Sequence, residues 1–202
     1  MDDAAEIGAA DENRWADLTL SMPQLMRRVG RWVVPITVCC FLPYLLVWGW
    51  PDLPEWRGLG PTVLDILIGT LVALLLYAVS AFVHEALHIA AMVIVARMPV
   101  SRLEVGMRLS EGVVYVHAKE PMSARAYRIV LLVPAVILGV VPVVVGVLEG
   151  QGWVVVYGYV MLLSAIGDLV VLRLMKRVDA RTLVRDHPEQ LGCQVRVTPP
   201  SP

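Results

Sequence analysis

Between Thr62 and Val95 the chain contains no lysine or arginine, two carboxylates, Asp65 and Glu85, and two histidines, His84 and His88, in an otherwise largely apolar run. As a helix it would extend about 50 Å at 1.5 Å per residue. That exceeds the ~30 Å hydrocarbon core of a bilayer. The segment therefore reads as a tilted helix projecting into the cytoplasm, or as a helix broken near Ser80. Sequence leaves both open.

Three further apolar runs share the character of a membrane span. Residues 32–50 run from Trp32 to Trp48 and Trp50, with tryptophans at both ends as in an interfacial aromatic belt, and contain Pro35 and Pro43. Residues 129–148 contain Pro134 and Pro142, and residues 153–172 follow the turn Glu149-Gly-Gln-Gly152. Hydrophobic residues make up 57% of the chain, above the 45–50% usual for a soluble domain. The expected fold class is an all-α integral membrane protein of four transmembrane helices (about 32–50, 62–95, 129–148 and 153–172) with a small β-hairpin.

The hairpin is expected at about 102–118. Leu103, Val105, Met107 and Leu109 alternate with polar or small residues, Ser110-Glu111-Gly112 signals a turn, and Val113 to Val116 is β-prone. Residues 1–31 are expected to form a polar N-terminal tail, 32–177 the membrane domain, and 178–202 a C-terminal tail. The first 22 residues are acidic and lack the basic start of a secretory signal, so the first apolar run should remain as an anchor.

Positive charges set the expected orientation. Arg14, Arg27, Arg28 and Arg31 precede the first span. Arg97, Arg102, Arg108, Lys119, Arg125 and Arg128 lie between the second and third, and Arg173, Lys176, Arg177, Arg181, Arg185 and Arg196 follow the fourth. Only Arg57 falls on the other side. The positive-inside rule then places both termini and the hairpin in the cytoplasm, with the protein in a plasma membrane. A net charge of −1 argues against a nucleic-acid partner. Cys39, Cys40 and Cys193 form neither a disulfide framework nor a thiolate zinc pattern.

Chemistry concentrates at His84-Glu85-Ala86-Leu87-His88. On a helix His84 and His88 share a face and can offer imidazole nitrogens to one metal ion, while Glu85 stands beside them as a general base. Zinc lowers the pKa of water toward ~7, within reach of such a base. Polar groups inside an apolar helix are costly and usually functional. The plainer alternative is a helix end where His and Glu meet interfacial water.

Zinc needs a third protein ligand. Depth selects it. His88 lies shortly before Arg97, and Asp168 shortly before Arg173, so both sit toward the cytoplasmic face. Asp65 would lie roughly 28 Å up a continuous helix from His84. Asp168 is the expected third ligand, with Gly167 permitting close backbone approach; the plainer alternative is a partner for Arg173 or a helix-end carboxylate. Ser80 and Ser164, each one turn before a ligand, are candidates to orient one, or else are ordinary packing serines. His117 reads better as a lone exposed histidine than as an extra ligand, and His187, before Pro188, as a turn residue.

These motifs together resemble the site-2 protease superfamily of intramembrane zinc metalloproteases, and in particular its small bacterial zincin-peptidase branch. The resemblance rests on His84, Glu85 and His88, on Lys119-Glu-Pro-Met-Ser-Ala-Arg-Ala-Tyr-Arg128 leading to Pro134, on Gly167-Asp168, and on Asp186-His-Pro-Glu-Gln-Leu-Gly-Cys193. It spans about residues 62–195. It implies Zn²⁺ held by His84, His88 and Asp168, Glu85 as base, the lipid bilayer as surroundings, and a membrane-embedded or juxtamembrane segment of a membrane protein as substrate. Site-2 proteases typically carry the aspartate in an Asn-Pro-Asp-Gly sequence. Here it follows Ala165-Ile166-Gly167, without the helix-breaking Asn-Pro. The competing class is a non-hydrolytic membrane protein: a metal-binding scaffold, a pseudoprotease or a small transporter.

Overall fold

The computed structural model describes residues 15–50, 59–108, 113–187 and 191–197. The turn at Ser110-Glu111-Gly112, the side chain of His117 and much of the expected 51–61 loop lie outside them. Strand β1 (Trp15–Leu20) leads into helix α1 (Met22–Trp48), and α2 follows as one helix, Leu59–Val95. Strands β2 (Leu103–Arg108) and β3 (Val113–Ala118) form a hairpin, and the short β4 (Met122–Ser123) enters α3 (Ala124–Pro134). A π-helical stretch, Ala135–Val140, joins α3 to α4 (Val141–Leu148). Then come α5 (Gly152–Ser164), α6 (Ile166–Leu174), β5 (Leu183–Asp186) and β6 (Leu191–Arg196).

Among the described residues, three helical stretches are long and apolar enough to cross a bilayer: Pro23–Trp48, Thr62–Val95 and Ala124–Leu148. The fourth run is a bent pair, Gly152–Ser164 and Ile166–Arg177, with 47° between them. The long second run is unbroken at Ser80. From Val63 to Val79 every residue of α2 is exposed, and all but Asp65 are uncharged. Among the described residues, α2 packs through its second half, chiefly against α3 and β3.

Helix α1 begins ten residues before the apolar run at Trp32. Its start is fixed by Ser21-x-x-Gln24, where the Ser21 N–H donates to Gln24 Oε1 at 3.0 Å. The prolines of the third run fit inside continuous helix. Pro142 has no N–H to donate, and the π-helical stretch before it absorbs the register change. Helix α5 lies against this stretch backbone to backbone. A Cβ at Gly158 would stand 2.6 Å from the Gly139 carbonyl oxygen.

The hairpin falls where the sequence places it, with Leu103 opposite Ala118 and Arg108 opposite Val113. The two expected tails need correction. Residues 15–20, 183–186 and 191–196 are strands, joined with β4 in an antiparallel sheet of order β1-β6-β5-β4. Each is short and alternating. Ala16 and Leu20 of β1 are buried, Val184 and Cys193 fully so, while Gln194 of β6 donates to Asp17 of β1 at 2.7 Å. Gly192 makes this possible: its φ is +141°, and a Cβ there would meet the Leu18 carbonyl oxygen. His187, expected in a free turn, is largely buried, with Nε2 3.9 Å from Asp17 Oδ1.

The main core forms where this sheet meets the ends of α2, α3 and α6, around Met92, Tyr127, Val130, Val171 and Met175. Two polar ties brace it. Tyr127 donates to Asp186 Oδ1 at 2.6 Å, and Asp186 Oδ2 accepts from the Ala118 N–H. Arg128 donates to the carbonyls of Met175 and Val178, satisfying the end of the α6 segment. The sheet thus fixes α3 and α6 relative to each other.

Candidate metal centre

His84 and His88 lie one turn apart in the packed half of α2, and both are 8% exposed. Asp168 reaches them from the first turn of α6. That turn exists because the helix breaks at Ala165, where ψ is 6° instead of helical. The break occurs without proline. It directs Asp168 inward and lets its carboxylate sit beside the positive end of α6.

Three atoms converge. His84 Nε2 is 3.1 Å from Asp168 Oδ2 and 3.2 Å from His88 Nε2, and His88 Nε2 is 3.6 Å from Asp168 Oδ2. Among the described residues this is the group of three His, Cys, Asp or Glu ligand atoms close enough to share one ion. A tetrahedral zinc with bonds of about 2.0–2.2 Å has ligand–ligand separations of about 3.3 Å. The triangle has those dimensions.

Protonation supports the fit. His88 Nδ1 lies 3.0 Å from the Val130 carbonyl oxygen. A carbonyl can only accept, so Nδ1 carries the proton, and in the neutral ring Nε2 is then the nitrogen left to bind a metal. Histidine ligands are commonly oriented by such an outer bond. Two imidazole nitrogens and a carboxylate oxygen at these separations suit a cation between them.

Glu85 is half-buried next to His84, outside the triangle but within electrostatic reach of all three members. Ser80, 3% exposed and one turn before His84, shares a 3.0 Å hydrogen bond with the Tyr157 hydroxyl of α5. It ties α2 to α5 and makes no bond to a triangle residue. Ser164 is exposed at the end of α5 and does not join the site. Gly167 lies half-buried beside Asp168 in the first turn of α6. The Val130 carbonyl and Tyr157 were not anticipated. The first had a sequence signal in Pro134, while Tyr157 had none, because pairing it with Ser80 requires knowing which helices adjoin.

Fold and site define a mostly helical protein with a His-His-Asp centre shaped for a metal ion. Residues 77–183 match the family described as "putative zincin peptidase". The match covers more than half of the chain, and the chain belongs to that family. The family implies zinc as the metal and suggests metallopeptidase activity. No curated protein and no solved structure matches the chain.

Proposed function

We propose that this chain is an integral membrane zinc endopeptidase of the site-2 protease kind, acting on a membrane-embedded or juxtamembrane segment of another membrane protein. The observation that carries the reading is the 3.1–3.6 Å triangle of His84, His88 and Asp168 on helices otherwise apolar enough to span a bilayer. In this reading His84, His88 and Asp168 are the ligands and Glu85 is the general base. Zinc bound there would supply a Lewis acid that polarises a peptide carbonyl and acidifies water.

The chain's own groups supply the remainder. Glu85 takes a proton from the attacking water and returns it to the departing amine, the two-way task of a carboxylate beside a metal centre. Val130 holds His88 in one tautomer. Hairpin β2–β3 packs against α2 near the site, and β2 and β3 pair only with each other among the described residues. A free strand edge can hold an unwound substrate by strand addition, which presents a peptide bond in extended form.

The exposed apolar length of α2 supports placement in lipid. A helix hydrophobic on all sides is covered either by protein or by acyl chains. Arg97 and Arg173 follow His88 and Asp168 closely on their chains, so the site lies in the cytoplasmic part of the membrane, in a plasma membrane with both termini inside.

Zinc content of the detergent-purified protein, measured beside His84→Ala and Asp168→Ala, tests the proposal. About one zinc per chain, lost in both variants, is expected. A folded wild type without zinc overturns it in favour of a non-hydrolytic scaffold or transporter. Zinc lost only in His84→Ala would remove Asp168 from the ligand set.

A further inference from the structure

A second polar constellation lies outside the metal triangle. A cavity of about 260 Å³ opens between α1 and α6, lined by Arg28, Arg31, Trp32, Pro35, Val170 and Arg173. The α1 residues follow the spacing i, i+3, i+4, i+7 and so form one stripe. Val170 and Arg173 form the facing stripe. The Arg173 guanidinium lies over the Trp32 ring, 5.7 Å from its centroid.

Three arginines therefore line one cavity, and none of its lining residues carries a carboxylate. None of the three is paired with an acidic side chain among the described residues. Asp168, on the same helix as Arg173, is turned away to His84 and His88. Arginine keeps its charge at any working pH, so the pocket presents a lasting positive field to an anion. The guanidinium fork matches phosphate oxygens in pairs. The volume falls below the ~300 Å³ at which drug-sized pockets begin, and so suits a small anionic group.

We infer that this pocket binds a phosphate-bearing anion, and its placement favours the headgroup of an anionic phospholipid. Above the arginines the wall becomes apolar at Trp32, Pro35 and Val170, and α1 continues with exposed Val34 and Val38. That is the order of surfaces a phospholipid presents, headgroup first and acyl chain beyond. Basic pockets between helices on the cytoplasmic side are the expected receptors of such headgroups. The bound anion bridges α1 to the helix that carries Asp168. Recognition of phosphate stands apart from the zinc reading. Only the lipid source rests on the membrane placement.

The test uses the full chain in neutral detergent. Phosphatidylglycerol, phosphatidylcholine and inorganic phosphate are titrated separately, and bound ligand is counted by native mass spectrometry. The variants are Arg31→Gln/Arg173→Gln, both exposed positions, and Lys176→Gln/Arg177→Gln, which removes the same charge from exposed positions outside the pocket. The expected result is phosphatidylglycerol binding, weakened about tenfold or more in the pocket pair and unchanged in the control pair. Charge-assisted hydrogen bonds are worth more than the ~1.4 kcal/mol of a tenfold step. Inorganic phosphate that binds alone with the same dependence on the pocket pair supports the site and makes free phosphate the ligand. Should the pocket pair fail to fold, Arg31→Lys/Arg173→Lys, which keeps the charge and loses the fork, carries the same comparison. Equal affinity for phosphatidylcholine, or equal losses in pocket and control pairs, overturns the inference.

Discussion

His88 donates its Nδ1 proton to the main-chain carbonyl of Val130, 3.0 Å away. That carbonyl is available because of Pro134. In an α-helix the Val130 oxygen would accept from the N–H four residues later, and proline has none. The proline thus releases one carbonyl from α3, and the histidine of the neighbouring helix takes it. A position that looks like a helix kink in sequence sets the tautomer of a metal-facing ring.

Pro134→Ala tests this relationship. Alanine restores an N–H that competes for the Val130 oxygen, so His88 loses its outer partner. Zinc affinity, measured by competition with a chelator, should fall by about 10–100-fold, the usual cost of losing such a contact. The helix itself should be no less stable. Unchanged zinc affinity in the variant would show that Val130 does not hold the ring.

Glu85→Gln separates binding from chemistry. Glu85 stands outside the ligand triangle, so its amide should leave zinc content near wild type. Proton transfer should fail, with a rate loss of about 10²–10⁴-fold. The measurement is a comparison of new N-termini among membrane proteins in cells producing either form. Cleaved ends should appear with wild type, and intact substrate should co-purify with the variant. Equal cleavage by both forms would remove Glu85 from the mechanism.

Much of this site was legible because its signals are local. His84 and His88 share a helix face by spacing alone, and Asp168 follows from depth once four apolar runs are placed. The hairpin shows its alternation at Leu103 to Met107. What escaped depends on partners distant in the chain. Strand β1 is six residues in an acidic stretch, and only its pairing with β6 makes it a strand. Asp186-His-Pro-Glu-Gln-Leu-Gly-Cys193 reads as a tail until Gly192 is seen under Leu18 and Asp186 under Tyr127. The break at Ala165 was unexpected because no proline marks it.

Gly158→Ala probes the packing that carries α5 toward Asp168. A methyl group there would lie 2.6 Å from the Gly139 carbonyl oxygen and 2.8 Å from the Val143 nitrogen. Both are backbone atoms, which cannot rotate aside, so the two helices must separate. Overpacking of this kind costs about 1–3 kcal/mol. The variant should melt at a lower temperature in detergent. A melting temperature equal to wild type would mean that α5 and the π-helical stretch are farther apart than described.

Cys193 gives the sheet a pH dependence of its own. Its side chain is fully buried, and burial, with the nearby Asp186 carboxylate adding to it, pushes the thiol up to about 12. The unfolded chain releases the same proton near pH 8.5. The folded state therefore holds the proton more tightly. The stability this provides is complete below about pH 8.5 and declines as pH rises toward the folded value, by about 1.4 kcal/mol per unit. Chemical unfolding measured from pH 8 to pH 10 should show that decline in wild type, and Cys193→Ala should flatten it. In the native protein at pH 8 the thiol should resist alkylation, since roughly one in 10⁴ is thiolate, and should react on unfolding. An identical alkaline decline in Cys193→Ala, or rapid native alkylation of Cys193, would place this thiol outside the sealed core between the sheet and α3.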